Sequence, residues 1–275
     1  MRAPLLEVSG LSLAYPLRGA PFARRPAPVR AIEDVGFTLA HGETLALVGG
    51  SGSGKTTVAR ALLRLVEPSA GRVLYRRTSA EAPIELLALP RRGLRAVRRE
   101  LALVFQDPYQ SLNPRLPAGE AVAEPLRVHG LARGRTARAR AAALFERVGL
   151  DPGALRRFPH EFSGGQRQRI AIARALALEP RLIVLDEAVS ALDVSIRAQI
   201  LNLLSDLQRE LGLSYLFITH DLALARVLAE HVVVMEGGRV VESGETEAVL
   251  ARPEHEATRR LMGSLLSGDP RRRRG

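Results

Sequence analysis

Of the forty basic residues in the chain only one, Lys55, is lysine; every other is arginine. It falls within Gly49-Gly50-Ser51-Gly52-Ser53-Gly54-Lys55-Thr56-Thr57, which fits the pattern G-x-x-x-x-G-K-[ST]. In that pattern backbone N–H groups wrap a phosphate chain, the lysine bridges its outer phosphates and the next hydroxyl holds Mg²⁺. A compact ammonium on a thin stem reaches into a closed loop where a planar guanidinium does not fit, so Lys55 reads as chemically required. Gly49, Gly52 and Gly54 are expected to let the main chain approach closely without a Cβ clash.

A second constellation is Leu182-Ile183-Val184-Leu185-Asp186-Glu187, an apolar strand that ends in two acids. Successive strand side chains point to opposite faces, which predicts different roles for the two. One would act on Mg²⁺ through its water shell and the other would orient the attacking water of a phosphoryl transfer. Taken alone, the same run also reads as an exposed strand end. The third constellation is Phe162-Ser163-Gly164-Gly165-Gln166 at the head of an apolar-periodic helix. Ser163 can cap that helix and two glycines expose backbone N–H groups, which makes a second seat for an anion. By itself it reads equally as a glycine-softened cap.

These groups need a framework. Residues 44–48 read as a buried strand before the lysine loop and 57–66 as a helix after it, which places the phosphates on a helix N-terminus. Residues 5–15 and 29–40 alternate as strands around a Pro- and Arg-rich loop, 16–28. Further strands are expected at 71–75, 101–105, 182–185, 215–218 and 232–235, with a polar connection and an Arg-rich helix over 76–100. Residues 117–157 turn helical, and 196–211 carry Ile196, Ile200, Leu203, Leu204, Leu207 and Leu211 on one face. Strands alternating with helices predict an α/β fold with a parallel sheet.

Composition narrows the class. At 275 residues and 46 % hydrophobic content the chain builds a sizeable core. With no cysteine it forms no disulfide, thiolate zinc site or cysteine-held cluster. No apolar run approaches the roughly 18 residues that span a bilayer, and Glu7 arrives too soon for a signal peptide, so a soluble chain is expected. The net charge of +11 is spread over Arg91, Arg92, Arg95, Arg98 and Arg99, over Arg133, Arg135, Arg138 and Arg140, and over a tail, 271–274, expected to be disordered. Few aromatics are present to stack bases, so the arginines read as solvated faces first and anionic-lipid contacts second, with no nucleic-acid partner.

Together the motifs resemble the nucleotide-binding subunit of an ABC transporter from residue 5 to about 250. The resemblance implies an α/β P-loop NTPase fold (ABC cassette): a RecA-like core, an antiparallel β subdomain and an inserted helical subdomain at about 109–165. Residues 251–275 then form a short C-terminal extension. Residues 49–56 match Walker A, Gln106 the Q-loop, 163–166 the signature, 182–187 Walker B, 190–193 the D-loop, His220 the switch histidine and Tyr15 the adenine-stacking aromatic. The implied ligands are ATP and Mg²⁺. Lys55 would hold the β- and γ-phosphates, Thr56 and Gln106 would ligate Mg²⁺, and Asp186 would stand in its outer shell. Glu187 would be the general base, His220 the γ-phosphate sensor, and Asp193 a link across a pair of cassettes. In such a pair each ATP lies between one P-loop and the other signature, which accounts for a second anion seat.

A narrower resemblance, to the ATPases of oligopeptide, dipeptide and nickel importers, rests on Phe105-Gln106-Asp107-Pro108-Tyr109-Gln110-Ser111-Leu112-Asn113-Pro114-Arg115, Ala123-Glu124-Pro125-Leu126 and Pro159-His160-Glu161-Phe162. It implies ATP-driven import of peptides, with nickel or a non-transport ATPase as alternatives. The partners it implies are a second cassette, identical or paralogous, two membrane permeases and, indirectly, a solute-binding protein; the location is the cytoplasmic membrane face. The sequence departs from that group in two places. Ala188 stands where proline usually follows the Walker B glutamate, and the His-Pro-Tyr-Thr element is half present as His255-Glu256-Ala257-Thr258. A GTPase would need Asn-Lys-x-Asp, which a chain whose one lysine is Lys55 does not contain. A DNA-repair ATPase would need a coiled-coil insertion or zinc cysteines.

Overall fold

The computed structural model describes residues 3–15, 29–106, 112–190 and 192–266. The expected loop at 16–28, the run 107–111, Ala191 and the arginine tail lie outside the described residues. Those residues fall into two compact units, one within Met1–Pro90 and Leu216–Gly275 and the other within Arg91–Tyr215.

The first unit contains an antiparallel sheet in the order β2-β1-β4-β5, built from β1 (Leu6–Tyr15), β2 (Val29–Leu39), β4 (Ala70–Tyr75) and β5 (Ile84–Glu85). β1 alternates buried and exposed residues because one face covers a core. Its other strands, β3 (Thr44–Gly49), β8 (Ser214–Thr219), β9 (His231–Glu236) and β10 (Arg239–Glu245), follow the order β10-β9-β3-β8. β3 and β8 are buried at every position, as strands covered on both faces must be. β9 runs parallel to β3, with Leu45 opposite His231 and Gly49 opposite Met235. β10 turns back antiparallel on β9, so the sheet is mixed rather than wholly parallel; the tight turn at Gly237 and Gly238, both at positive φ, forces that reversal.

Helix α1 (Lys55–Leu62) starts two residues before its expected position and ends four before it. Arg64 stops it, sitting in the left-handed region at φ 48° while its guanidinium donates to the carbonyls of Leu86 (3.2 Å) and Leu89 (2.6 Å). Three further helices belong to this unit: α7 (Leu222–Leu228), α8 (Thr246–Ala251) and α9 (Glu256–Leu266). Ala46, Val48, Leu222, Ala225, Val232 and Val234 form one core cluster, against which Leu261 and Met262 of α9 pack.

The second unit holds α2 (Arg91–Val97), β6 (Leu101–Val104), α3 (Ala118–Val128), α4 (Gly134–Arg147), α5 (Gly164–Leu176), β7 (Leu182–Asp186) and α6 (Val194–Leu211). β6 and β7 pair in parallel, from Leu101 opposite Leu182 to Val104 opposite Leu185. Helices α3, α4 and α5 pack on one another. Val122, Leu126, Ala141 and Phe145 are fully buried in this unit. Gly212, at φ 63°, ends α6 as a left-handed C-cap.

Candidate functional site

The lysine loop follows a strand that cannot shift, because every residue of β3 is buried. A Cβ on Gly49 would lie 2.4 Å from the Met235 carbonyl oxygen and 2.6 Å from Ser53 Oγ. On Gly54, at φ 102°, it would lie 2.8 Å from the carbonyl oxygen of Ala31 and from Ile32 Cγ2. Gly52 is also at positive φ but has open space where its Cβ would be. Ser53 N–H donates to the Gly50 carbonyl (3.2 Å) and closes the turn, while Gly238 N–H donates to the Ser53 carbonyl (3.2 Å) and ties the loop to the β9–β10 turn.

Lys55 is only 6 % exposed. Its Nζ donates to the carbonyls of Gly49 (2.8 Å) and Gly50 (2.9 Å) and lies 3.4 Å from Ser53 Oγ. The cation is therefore folded back over its own loop, with three oxygens to match the three donors of an ammonium. Thr56 and Thr57 follow, half-buried in the first turn of α1, a turn with no acidic side chain to neutralise the positive end of the helix. Tyr15, the last residue of β1, is 39 % exposed. His220 is exposed directly after β8. Asp221 fixes the backbone beside it: its N–H donates to Thr219 Oγ1 (3.0 Å) and its carboxylate accepts from Ala223 N–H (2.8 Å) to cap α7.

In the second unit, β7 ends at Asp186, which is 4 % exposed. Glu187 lies past the strand with φ 47°, a conformation that costs a bulky residue of order 1–3 kcal/mol. Strand alternation therefore does not separate the two acids; the left-handed backbone of Glu187 does. Gln106 and Glu187 each lie two residues past the last β6–β7 pair, Val104 opposite Leu185, and Gln106 Nε2 donates to Glu187 Oε2 at 2.8 Å. The bond leaves the Gln106 amide oxygen as the acceptor end of the side chain. Ser190 N–H donates to the Glu187 carbonyl (3.0 Å), which closes the turn that contains Ala188, itself buried.

Ser163 caps α5 in a reciprocal box. Its Oγ accepts from Gln166 N–H (3.3 Å) and its own N–H donates to Gln166 Oε1 (2.9 Å). The hydroxyl proton of Ser163 is not used by this box and can be donated outward. The two glycines differ. Gly164 is exposed and a Cβ there would make an ordinary 3.8 Å contact with Leu192. Gly165 is buried, and its Cβ would lie 2.5 Å from Ile196 Cγ2, so it is needed for α5 to abut α6. Asp193 is the exposed N-cap residue of α6 and makes no side-chain capping bond. Arg197, which motif reading does not single out, donates to the Leu192 carbonyl (3.0 Å) and holds the turn before Asp193.

The half-present element His255-Glu256-Ala257-Thr258 has a local purpose in the first unit. Glu242 of β10 accepts from the N–H groups of Glu254 and His255, each at 2.9 Å, and from the Thr258 hydroxyl. Burial pushes the Glu242 carboxyl up, but those three donors outweigh it and hold it below the ordinary carboxylate range. The His255 ring completes the cap, its Nδ1 accepting from Ala257 N–H (3.2 Å). Arg260 on the same helix ion-pairs with Glu236. Together they seat α9 beside the lysine loop, where a cleft of about 510 Å³ is lined by residues 50–53, Glu236, Arg260 and Leu261.

Among the described residues no group of three or more His, Cys, Asp or Glu is placed to hold a metal, and no helix is long and apolar enough to cross a membrane. The Thr56 hydroxyl, the Gln106 amide oxygen and the Asp186 carboxylate are each hard oxygen donors of the kind that suit Mg²⁺.

Solved structures with this fold define its class. The dimeric ATP-binding cassette MJ0796 bound to ADP and Pi superposes with a TM-score of 0.73 and 29 % identity over 88 % of this chain and 98 % of its own. CbiO1 from Clostridium perfringens, part of the transporter complex cbiONQ, superposes with a TM-score of 0.75 and 28 % identity over 96 % and 99 %. The fold is that of an ATP-binding cassette. A model of the ABC transporter family matches residues 32–190. The chain is 52 % identical over 273 residues to the glutathione import ATP-binding protein GsiA of Escherichia coli K12 and 51 % identical over 271 residues to that of Salmonella typhimurium LT2. Each match covers 98 % of this chain and 42 % of the relative, so the chain spans about two-fifths of their length. The chain belongs to the ABC transporter family.

Proposed function

We propose that this chain binds and hydrolyses ATP and, as one of two paired cassettes, energises an ABC importer of peptide-class solutes. The observation that carries the reading is the 2.8 Å bond from Gln106 to Glu187, which fixes a carboxylate beside an amide oxygen at the ends of two paired strands. A water-activating base must be oriented before it is useful, and a neutral amide orients a carboxylate without protonating it.

In this reading the N–H groups of residues 49–54 wrap the phosphates and Lys55 turns from the carbonyls of Gly49 and Gly50 to the β- and γ-phosphates. Tyr15 stacks on adenine. Thr56, the Gln106 amide oxygen and Asp186 are the residues that would hold Mg²⁺. Bound there, Mg²⁺ neutralises charge on the phosphate oxygens. Glu187 takes a proton from the water whose oxygen attacks the γ-phosphorus as the bond from that phosphorus to the β,γ-bridging oxygen breaks and ADP leaves, and His220 positions the phosphate. Ser163, Gly164, Gly165 and Gln166 donate to the nucleotide held by the opposite cassette, and Asp193 faces the same junction. The helices within 109–165 pass closure to a permease at the cytoplasmic membrane face.

The cargo class rests on the relatives, whose names specify import of glutathione, a peptide. The test is phosphate release from ATP by the purified chain with Mg²⁺, alone and with the permeases that co-purify from membranes, followed by peptide uptake in reconstituted vesicles. No turnover in either setting rejects the ATPase; turnover without peptide-stimulated coupling rejects the cargo.

A further inference from the structure

The arginine runs are not all dispersed. In the second unit, Arg95 of α2 donates to the Val128 carbonyl at the end of α3 (2.8 Å), which brings α2 against the α3–α4 connection. Burial first, and then the positive charges of Arg95 and Arg99, push His129 below its ordinary value, so both guanidinium groups act on the same spot. A cleft of about 310 Å³ between α3 and α4 adds Arg127, Arg135 and Arg138. The one carboxylate lining that cleft, Glu120, is already paired with Arg127. Arg99, Arg135 and Arg138 are exposed and make no side-chain hydrogen bond or ion pair among the described residues. α4 adds to the field, since its first turn carries no acid. Val128, 57 % exposed, follows Arg127 at the end of α3, and its carbonyl is the one that Arg95 holds, so it adds an apolar side chain where the two groups of arginines come together.

We propose that this surface, formed by Arg95, Arg99, Arg127, Arg135 and Arg138 around Val128, is a direct contact for the headgroups of anionic lipid. The unpaired guanidinium groups of Arg99, Arg135 and Arg138, with an apolar residue beside them, match an interface that is negative outside and apolar beneath. Nucleic acid fits less well, because no aromatic side chain lines the cleft shared by Arg127, Arg135 and Arg138 to stack a base. A bilayer contact here would hold the cassette against the membrane independently of any permease, and vesicle binding needs no ATP turnover, so the two readings fail separately.

The test is co-sedimentation of the full chain, without nucleotide, with phosphatidylcholine vesicles and with vesicles also containing phosphatidylglycerol. Binding is expected only with the anionic vesicles and is expected to vanish at high salt. Arg135→Gln with Arg138→Gln should weaken it roughly tenfold or more, with an unchanged circular dichroism spectrum, since both residues are exposed and glutamine is a good helix former. Val128→Asp should weaken it as well. Replacing Arg271 to Arg274 by glutamine should leave most of the binding in place. Equal binding to neutral vesicles, an unaffected double variant, or loss of all binding with the tail substitutions would each overturn the proposal. Tighter retention on duplex DNA than on anionic vesicles, lost in the double variant, would assign the patch to nucleic acid instead.

Discussion

Gln106 and Glu187 are 81 residues apart in sequence and 2.8 Å apart in the fold, joined by a bond from amide to carboxylate. Neither is held by its own strand. Each lies past the end of one, and the parallel register of β6 and β7 makes the two ends level.

Glu187→Gln is therefore expected to remove the proton acceptor while keeping the contact, because a glutamine amide oxygen still accepts from Gln106. Turnover should fall by roughly 100- to 1,000-fold, the usual scale for losing a preorganised catalytic contact, and ATP-bound dimers should accumulate on gel filtration. Gln106→Ala should lower kcat with little change in Tm, since Gln106 is exposed. Substantial hydrolysis by Glu187→Gln would take Glu187 out of the base role.

Two glycines of the lysine loop separate backbone strain from collision. Gly52→Ala meets no atom within 4 Å and bears only the left-handed penalty, about 1–2 kcal/mol. Gly54→Ala bears that penalty and also a Cβ 2.8 Å from the Ala31 carbonyl. Thermal melts should therefore rank Gly54→Ala well below Gly52→Ala, and equal melting temperatures would contradict the packing described.

The signature glycines provide a second contrast. Gly165→Ala drives a methyl into Ile196 and is expected to cost about 1–3 kcal/mol. Adding Ile196→Ala removes the colliding Cγ2 and should recover part of the loss, read from a double-mutant cycle in urea. Gly164→Ala should melt like the parent, and a drop in turnover there with stability intact would mark that N–H region as nucleotide-facing.

Glu242 gives the acid dependence a sign. Its carboxyl is held below its ordinary value in the fold, so its contribution is fully present above the unfolded-chain value, about 4.3. It is lost as pH falls through the lower folded value. Glu242→Gln should flatten the decline of Tm with acid in that window and increase amide exchange at Arg259. An unaltered acid slope would show that the Thr258 and backbone contacts do not stabilise the ionised form.

Much of the site was legible as local pattern. The Lys55 loop, the acids at the end of β7 and the Ser163 cap are each a contiguous run of residues whose types and spacing can be read without knowing the fold. What escaped depends on distant chain. The end of α1 at Arg64 is set by carbonyls more than twenty residues on. The direction of Glu187 comes from a positive φ that strand alternation does not foresee. The need for Gly165 comes from Ile196, and the sense of keeping His255 and Thr258 while losing the residues between them appears only once Glu242 is seen beneath them. The arginine runs looked scattered because Arg95 and Val128 are neighbours only after α2 meets the end of α3.

The pairing of β3 with β9 has a consequence for synthesis. Leu45 is made well before its ladder partner His231, and Leu261 of α9 packs on the same core. At about 5–20 residues per second a ribosome needs roughly ten to forty seconds to travel from one strand to the other. Until then the segment bearing Lys55 lacks its flanking strand and the Gly238 brace, so a chain that stops short of His231 is expected to leave the lysine loop without the support that holds it in shape.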